Sequence, residues 1–164
     1  ISDMKEQEVF LPQKYSKLLR TIYKRLEINR ELKESTLLNE HALPAISNVL
    51  MNISSSLGTA NIKILEIGDD ISDIIEANLI EISNERIITV YMDLPLSSPS
   101  ISHVIDRLEK FNFCFSCLIP EDLSGDILRL QLLKADVDFG NIHIEQDYGK
   151  YIFEEIKKER RKVL

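Results

Sequence analysis

Several side chains in this chain have types and spacings that could do chemistry. Cys114 and Cys117 form a Cys-x-x-Cys pair. Such a pair serves redox exchange when its first thiol sits at a helix N-terminus, where the dipole lowers its pKa. It serves zinc when two further ligands complete a tetrahedron. Here the pair lies inside an apolar run that reads as a strand, where residues three apart point to opposite faces. No second pair exists, and His103 and His143 are isolated. Buried, reduced core thiols are therefore the expectation. Arg129 and Gln131 alternate with Leu128, Leu130 and Leu132. They project to one side of a strand, as a polar patch for a carboxylate, as a satisfied structural pair or as an oligomer contact. Ser102, His103 and Asp106 follow one another around one helix without a nucleophile elbow, so they make no triad. Glu66, Tyr91 and Asp93 lie at the ends of two apolar runs.

The elements that position these groups are legible from periodicity. Residues 87–92, Ile-Ile-Thr-Val-Tyr-Met, are apolar, β-branched and without polar alternation. They read as a central strand covered on both faces. Ile101, Val104, Ile105, Leu108 and Phe111 recur at helical spacing, and Asn112 can cap that helix in the left-handed region. Two strands follow, residues 113–119 and 127–133, across a turn-rich segment. Upstream, residues 8–11 read as a short strand. Pro12 then opens a helix with Tyr15, Leu18, Leu19, Ile22, Tyr23 and Leu26 inward. Residues 29–41 read as a polar connection with one further helical turn. Residues 45–57 fit helix and strand almost equally; the Ser-rich turn before Gly58 favours a strand, making a hairpin with residues 61–67. Asp70 reads as the N-cap of a helix burying Ile71, Ile74, Ile75 and Leu79. Residues 141–144 read as a last short strand. A final helix from 147 to about 160 turns Tyr148, Tyr151, Ile152 and Ile156 inward.

Composition sets limits on function. The chain has 164 residues, 44% of them hydrophobic and 29% charged, which suits one globular domain. The reading is a tether over 1–7, one domain over 8–160 and a basic tail over 161–164. A net charge of −7 argues against nucleic acid, which needs a concentrated cationic surface. The basic cluster from Lys157 to Lys162 complements a helix C-terminus. No apolar run approaches the ~20 residues of a bilayer span, and no secretory pattern opens the chain. Reduced thiols in an acidic domain suggest the cytoplasm. Because the sequence opens at Ile1, it reads as a fragment of a longer protein, with Met4 as an alternative start.

In order, the elements are strand, helix, loop, hairpin, helix, strand, helix, strand, strand. Over nearly the whole chain this resembles the GCN5-related N-acetyltransferase (GNAT) superfamily. Val9-Phe10-Leu11-Pro12 with Ile22-Tyr23-Lys24-Arg25-Leu26 resembles the opening of a family of GNAT-like domains. So do Tyr91-Met92-Asp93-Leu94-Pro95-Leu96 with Leu108-Glu109-Lys110-Phe111-Asn112-Phe113, and Ile119-Pro120 with residues 125–131, Gly-Asp-Ile-Leu-Arg-Leu-Gln. Such domains often follow an ATPase domain of the anti-sigma-factor kinase type. The resemblance implies an α/β (α+β) fold, a mixed sheet of six or seven strands with helices on both faces. It also implies a cleft where strands 62–67 and 87–92 splay apart. Glu66, Asp93 and Tyr91 lie near its mouth, a carboxylate as general base for an amine and Tyr91 as acid. The bland alternatives are a surface residue for Glu66 and a backbone cap for Asp93. Acetyl-CoA is the implied cofactor, held along Leu65, Ile67 and Gly68; no metal is implied.

Two departures stand against catalysis. GNAT enzymes hold the CoA pyrophosphate on a glycine-rich loop at a helix N-terminus. Here that stretch keeps one glycine, Gly68, and carries Asp69, Asp70 and Asp73, which repel a diphosphate. Leu108 stands where many such enzymes have a tyrosine that protonates the departing thiolate. Two functions follow from the resemblance: an acyl-CoA-dependent N-acetyltransferase with a degenerate loop, or a non-catalytic module of a bacterial signalling protein. The second senses a small-molecule ligand or docks an attached or partner signalling domain. A homodimer is compatible with either.

Overall fold

A parallel pair of strands sits inside the sheet, and the remaining elements follow from how that pair is covered. The computed structural model describes residues 7–35, 43–120 and 125–163. Most of the tether, the far end of the 29–41 connection and the middle of the turn after Pro120 lie outside them.

The chain forms β1 (Glu8–Leu11), α1 (Ser16–Arg25), β2 (Glu31–Glu34), β3 (Asn48–Ser54), β4 (Thr59–Glu66) and α2 (Ile71–Ser83). Then come β5 (Thr89–Pro95), α3 (Ile101–Leu108), β6 (Cys114–Ile119), β7 (Ile127–Leu133) and α4 (Asp147–Val163). The main sheet has five strands in the order β3-β4-β5-β7-β6. β4 and β5 run parallel, and all other neighbours in it are antiparallel. A parallel pair needs a crossover, which α2 supplies. The fold is therefore mixed α/β. The single sheet of six or seven strands is corrected: β1 and β2 form a separate parallel pair.

β2 replaces the expected polar connection and its helical turn. Its sequence, Glu-Leu-Lys-Glu, has no strand pattern of its own. What holds it is tertiary: Lys33 pairs with Glu8 across the two strands, and Ser16 and Arg20 both bond Glu34 from α1. The ambiguous segment is the strand β3, and Gly58, at φ +65°, turns the hairpin into β4. Asn112 caps the end of the α3 region at φ +63°, the role its side chain suits.

The alternation along the strands sorts the sheet into two unlike faces. Ala60, Ile62, Ile64, Val90, Met92, Leu94, Phe115, Leu128 and Leu130 share one face and one core with the stripes of α1, α2 and α3. The other face carries Asn61, Lys63, Tyr91, Asp93, Arg129 and Gln131, and all but Asp93 are half-buried. Two expectations change here. β5 is central, but Thr89, Tyr91 and Pro95 in it are only half-buried, and Ile88 before it is 57% exposed. A helical layer lies over the apolar face, whereas the polar face stays partly open. The strand begins two residues late and runs on through Asp93, because Arg129 opposite neutralises that carboxylate.

α4 packs against β6 and covers the start of its outer edge: Glu159 accepts the Phe115 N–H at 2.8 Å and the Tyr15 hydroxyl. The helix continues through Val163, beyond its expected end and into the basic tail. Residues 139–141 form a 3-10 turn, and 142–144 are not a strand. Leu26, expected inward, is half-exposed past the end of α1. No helix among the described residues is long and apolar enough to cross a membrane.

Candidate functional site

The site begins where β4 and β5 part. They pair from Thr59 with Thr89 to Lys63 with Asp93, and no further. Beyond that rung β4 stays with β3 and β5 stays with β7. A bulge accompanies the parting. Asn48 pairs with Glu66 and Val49 with Ile64, which leaves Leu65 as the extra residue. An unpaired extra residue bends its strand and tightens the local twist. Leu65 is accordingly exposed at the mouth, with Glu66 beside it, while Ile67 and Gly68 turn inward.

Tyr91, Asp93 and Arg129 are brought together on the polar face. Arg129 grips Asp93 with Nε to Oδ1 at 2.6 Å and Nη2 to Oδ2 at 2.8 Å, and Asn61 donates to Oδ2 at 3.1 Å. The guanidinium also lies 5.1 Å from the Tyr91 ring centroid. Its bonds to Asp93 raise the Arg129 pKa above its ordinary value. Asp93 is thus neither a free base nor a backbone cap; both expectations give way to a side-on ion pair. Of the readings open for Arg129 and Gln131, a carboxylate-binding patch, a satisfied structural pair or an oligomer contact, the structure fits the second, because both side chains are bonded within the chain. Gln131 stands across from Tyr91 and donates to the Phe115 carbonyl at 3.4 Å. Glu66 lies beyond the last β4–β5 rung and does not join the cluster.

The loop at the start of α2 is occupied by the chain itself. The Gly68 N–H donates to Ser47 Oγ at 2.8 Å, and the Asp69 N–H donates to the Pro44 carbonyl at 2.9 Å. Asp70 stands at the N-cap position of α2 as expected, but its side chain makes no capping bond to the helix. Its Oδ1 instead accepts the Ser47 N–H at 2.7 Å, tying the helix start to the segment entering β3. A Cβ on Gly68 would fall 2.5 Å from the Ile46 carbonyl carbon and 2.6 Å from the Ser47 nitrogen. Gly68 is therefore glycine so that residues 46–47 can lie against it. Two amides of the loop expected to hold a pyrophosphate, those of Gly68 and Asp69, are spent on Ser47 and Pro44.

A second bulge corrects the reading of the cysteines. Cys114 pairs with Gln131, and Cys117 pairs with Arg129, so Ser116 is the extra residue in β6. Directly opposed residues share a face, so both thiols point the same way, beside Gln131 and Arg129. Both are free. Cys114 is buried as expected, and burial, then the nearby Glu159, pushes its thiol up to about 11. Cys117 is half-exposed, which corrects the expectation that both are buried.

Other groups carried no local signal. Asp126 is buried and binds the Tyr23 hydroxyl at 2.7 Å and Arg30 Nε at 2.9 Å, tying β7 to α1. A groove of about 500 Å3 lies between α1 and α4, lined by Lys14, Lys17, Leu18, Tyr151 and Lys158 among others. It shares no residue with the sites expected from sequence, and Lys14 and Lys158 already pair with Glu159 and Glu155 there. Among the described residues no cluster of His, Cys, Asp or Glu is placed to hold a metal. Compared with models of known protein families, with curated proteins and with solved structures, the chain matched none.

Proposed function

We propose that this domain is a non-catalytic relative of the GNAT acyltransferases. In this reading it senses a small-molecule ligand or docks a signalling domain. Support for the scaffold comes from the strand order, the β4 bulge and the parting of the parallel pair beyond Lys63 and Asp93. The observation that carries the non-catalytic reading is the Pro44–Ser47 staple. An acyl-CoA pyrophosphate needs free, convergent amides at the start of α2. Gly68 and Asp69 have given theirs to Ser47 and Pro44. The ion pair between Asp93 and Arg129 supports it further, since the carboxylate best placed as a base is already engaged on both oxygens.

Calorimetric titration of the unmodified chain with acetyl-CoA at low and high salt tests this. The expected result is no saturable heat at either, and no release of CoA thiol in the presence of primary amines. Saturable binding with amine-dependent thiol release would make the domain an acyltransferase. One observation favours that second reading: Leu65 is exposed and free of the β3 ladder, so its backbone is open to an extended pantetheine chain.

A further inference from the structure

The two outer strands of the main sheet are treated differently. β6 is covered near its start by α4, where Glu159 accepts the Phe115 N–H. β3 has a hydrogen-bonded neighbour on one side only, among the described residues. Exposed edge strands are usually protected by Lys, by Pro, by a bulge of their own or by brevity. β3 has seven residues, Asn-Val-Leu-Met-Asn-Ile-Ser, without a charge or a proline. The bulge in its ladder belongs to β4. Indeed no Asp, Glu, Lys or Arg occurs from Ala42 to Ile62, in a chain that is 29% charged. The apolar layer is open at the same place. Val49, Met51 and Ile53 pack on the core yet stay half-buried, and Leu50 on the other face is 56% exposed.

We propose that β3 is a homodimer edge. Two copies pair their β3 strands antiparallel about a two-fold axis at Met51, joining the two five-stranded sheets into one. Charge selects a second copy as the occupant. Two chains of net charge −7 repel over most of their surfaces, and the uncharged stretch is where they can meet without that cost. The strand is also complementary to itself. With Met51 on the axis, Val49 faces the partner's Ile53 and Met51 faces the partner's Met51, so the apolar rows coincide and the alternation is preserved. Leu50 then faces the partner's Asn52 on the polar side. The interface lies on the far side of β4 from the Asp93 cluster, so it does not depend on how that cluster is used.

Sedimentation velocity of the full chain from low to high micromolar concentration reads the assembly. The expected result is reversible growth from 18.9 kDa to twice that mass. Leu50→Glu is the variant of choice. Position 50 stands opposite Lys63 in β4, so the new carboxylate finds a partner within one chain. Across the two-fold it places two like charges close together, and dimer affinity should fall about tenfold or more. Hydrogen exchange on the unmodified chain supplies a readout independent of any variant: amides of residues 48–54 should gain protection as concentration rises. A monomer at every concentration overturns the proposal. So does a dimer that Leu50→Glu, shown folded by circular dichroism, leaves intact, or one whose β3 amides exchange at a concentration-independent rate.

Discussion

Arg129 holds Asp93 side-on, one nitrogen to each carboxylate oxygen, across neighbouring strands in the middle of the sheet. Asp93 is almost buried and Arg129 about a quarter open to water, so the two members stand to lose unequally. Removing the arginine leaves a buried carboxylate that still accepts from the Asn61 side-chain amide. Arg129→Met should therefore cost roughly 2–4 kcal/mol, somewhat below the full cost of a sealed pair because water reaches this face. The double change Asp93→Leu with Arg129→Met should restore most of that. Urea unfolding of the two variants measures the difference. Equal loss in both would mean that packing, and not the orphaned charge, dominates at this position.

The two thiols should part company in a labelling experiment. Cys117 is half-exposed beside Arg129, whereas Cys114 is buried and its pKa is raised from 9.0 to about 11. That shift alone leaves about a hundredfold less thiolate near neutral pH, and burial slows access further. Native alkylation followed by mass spectrometry should show one fast modification, at Cys117. Two fast modifications would require β6 to open at its α4 side.

How much of this could be read from the chain alone depends on how local the signal was. α1 and α3 announce themselves by spacing and stand where expected. In the β3–β4 hairpin spacing leaves helix and strand nearly level, and only the Ser-rich turn before Gly58 tips the reading to the strand that is found. Asp93 and Arg129 were each visible as strand-borne charges, but their union is not. They are 36 residues apart, and only the pairing of β5 with β7 sets one opposite the other. The bulges at Leu65 and Ser116 have no residue signature, yet the second one reverses the face on which Cys117 lies. Gly68 was visible and its purpose was not. It looked like the remnant of a phosphate loop, and it is the floor on which Ile46 and Ser47 rest. Ser47 itself, a small residue in an uncharged run, gave no hint that it would bridge Gly68 and Asp70.

His103 should leave a mark on the pH dependence of stability. Burial, then the neighbouring Arg107, holds its pKa below the ordinary 6.5, against the opposing pull of Asp69 and Asp106. Its Nε2 is buried without a hydrogen-bond partner. A group with a lowered native pKa binds its proton more readily in the unfolded chain. Its contribution is therefore complete above pH 6.5 and is lost as pH falls below that value through the native pKa. His103→Gln should flatten the decline in that window by some fraction of the ~1.4 kcal/mol per pH unit that a single proton can produce. Thermal unfolding of both proteins on either side of pH 6.5 gives the comparison. Parallel curves would show that the imidazole titrates alike in both states.

The last expectation separates two glycines that a sequence would treat alike. Gly58 sits at φ +65° with only ordinary contacts around a new Cβ, the nearest atom being an Ile88 side-chain carbon at 3.5 Å. Gly58→Ala should cost about 1 kcal/mol, the penalty of left-handed backbone for a residue with a Cβ. Gly68 has no such backbone demand. A Cβ there would meet backbone atoms at 2.5, 2.6 and 2.8 Å, and these cannot rotate away. Gly68→Ala should push residues 46–47 off the loop, break the Ser47 bonds to Gly68 and Asp70, and cost on the order of 3 kcal/mol. Limited proteolysis distinguishes the two. Gly68→Ala should open a cleavage site within residues 43–47, whereas Gly58→Ala should leave that segment as resistant as in the unmodified chain. If both variants are cut alike, the staple is not what holds the entry to β3, and the non-catalytic reading loses its main support.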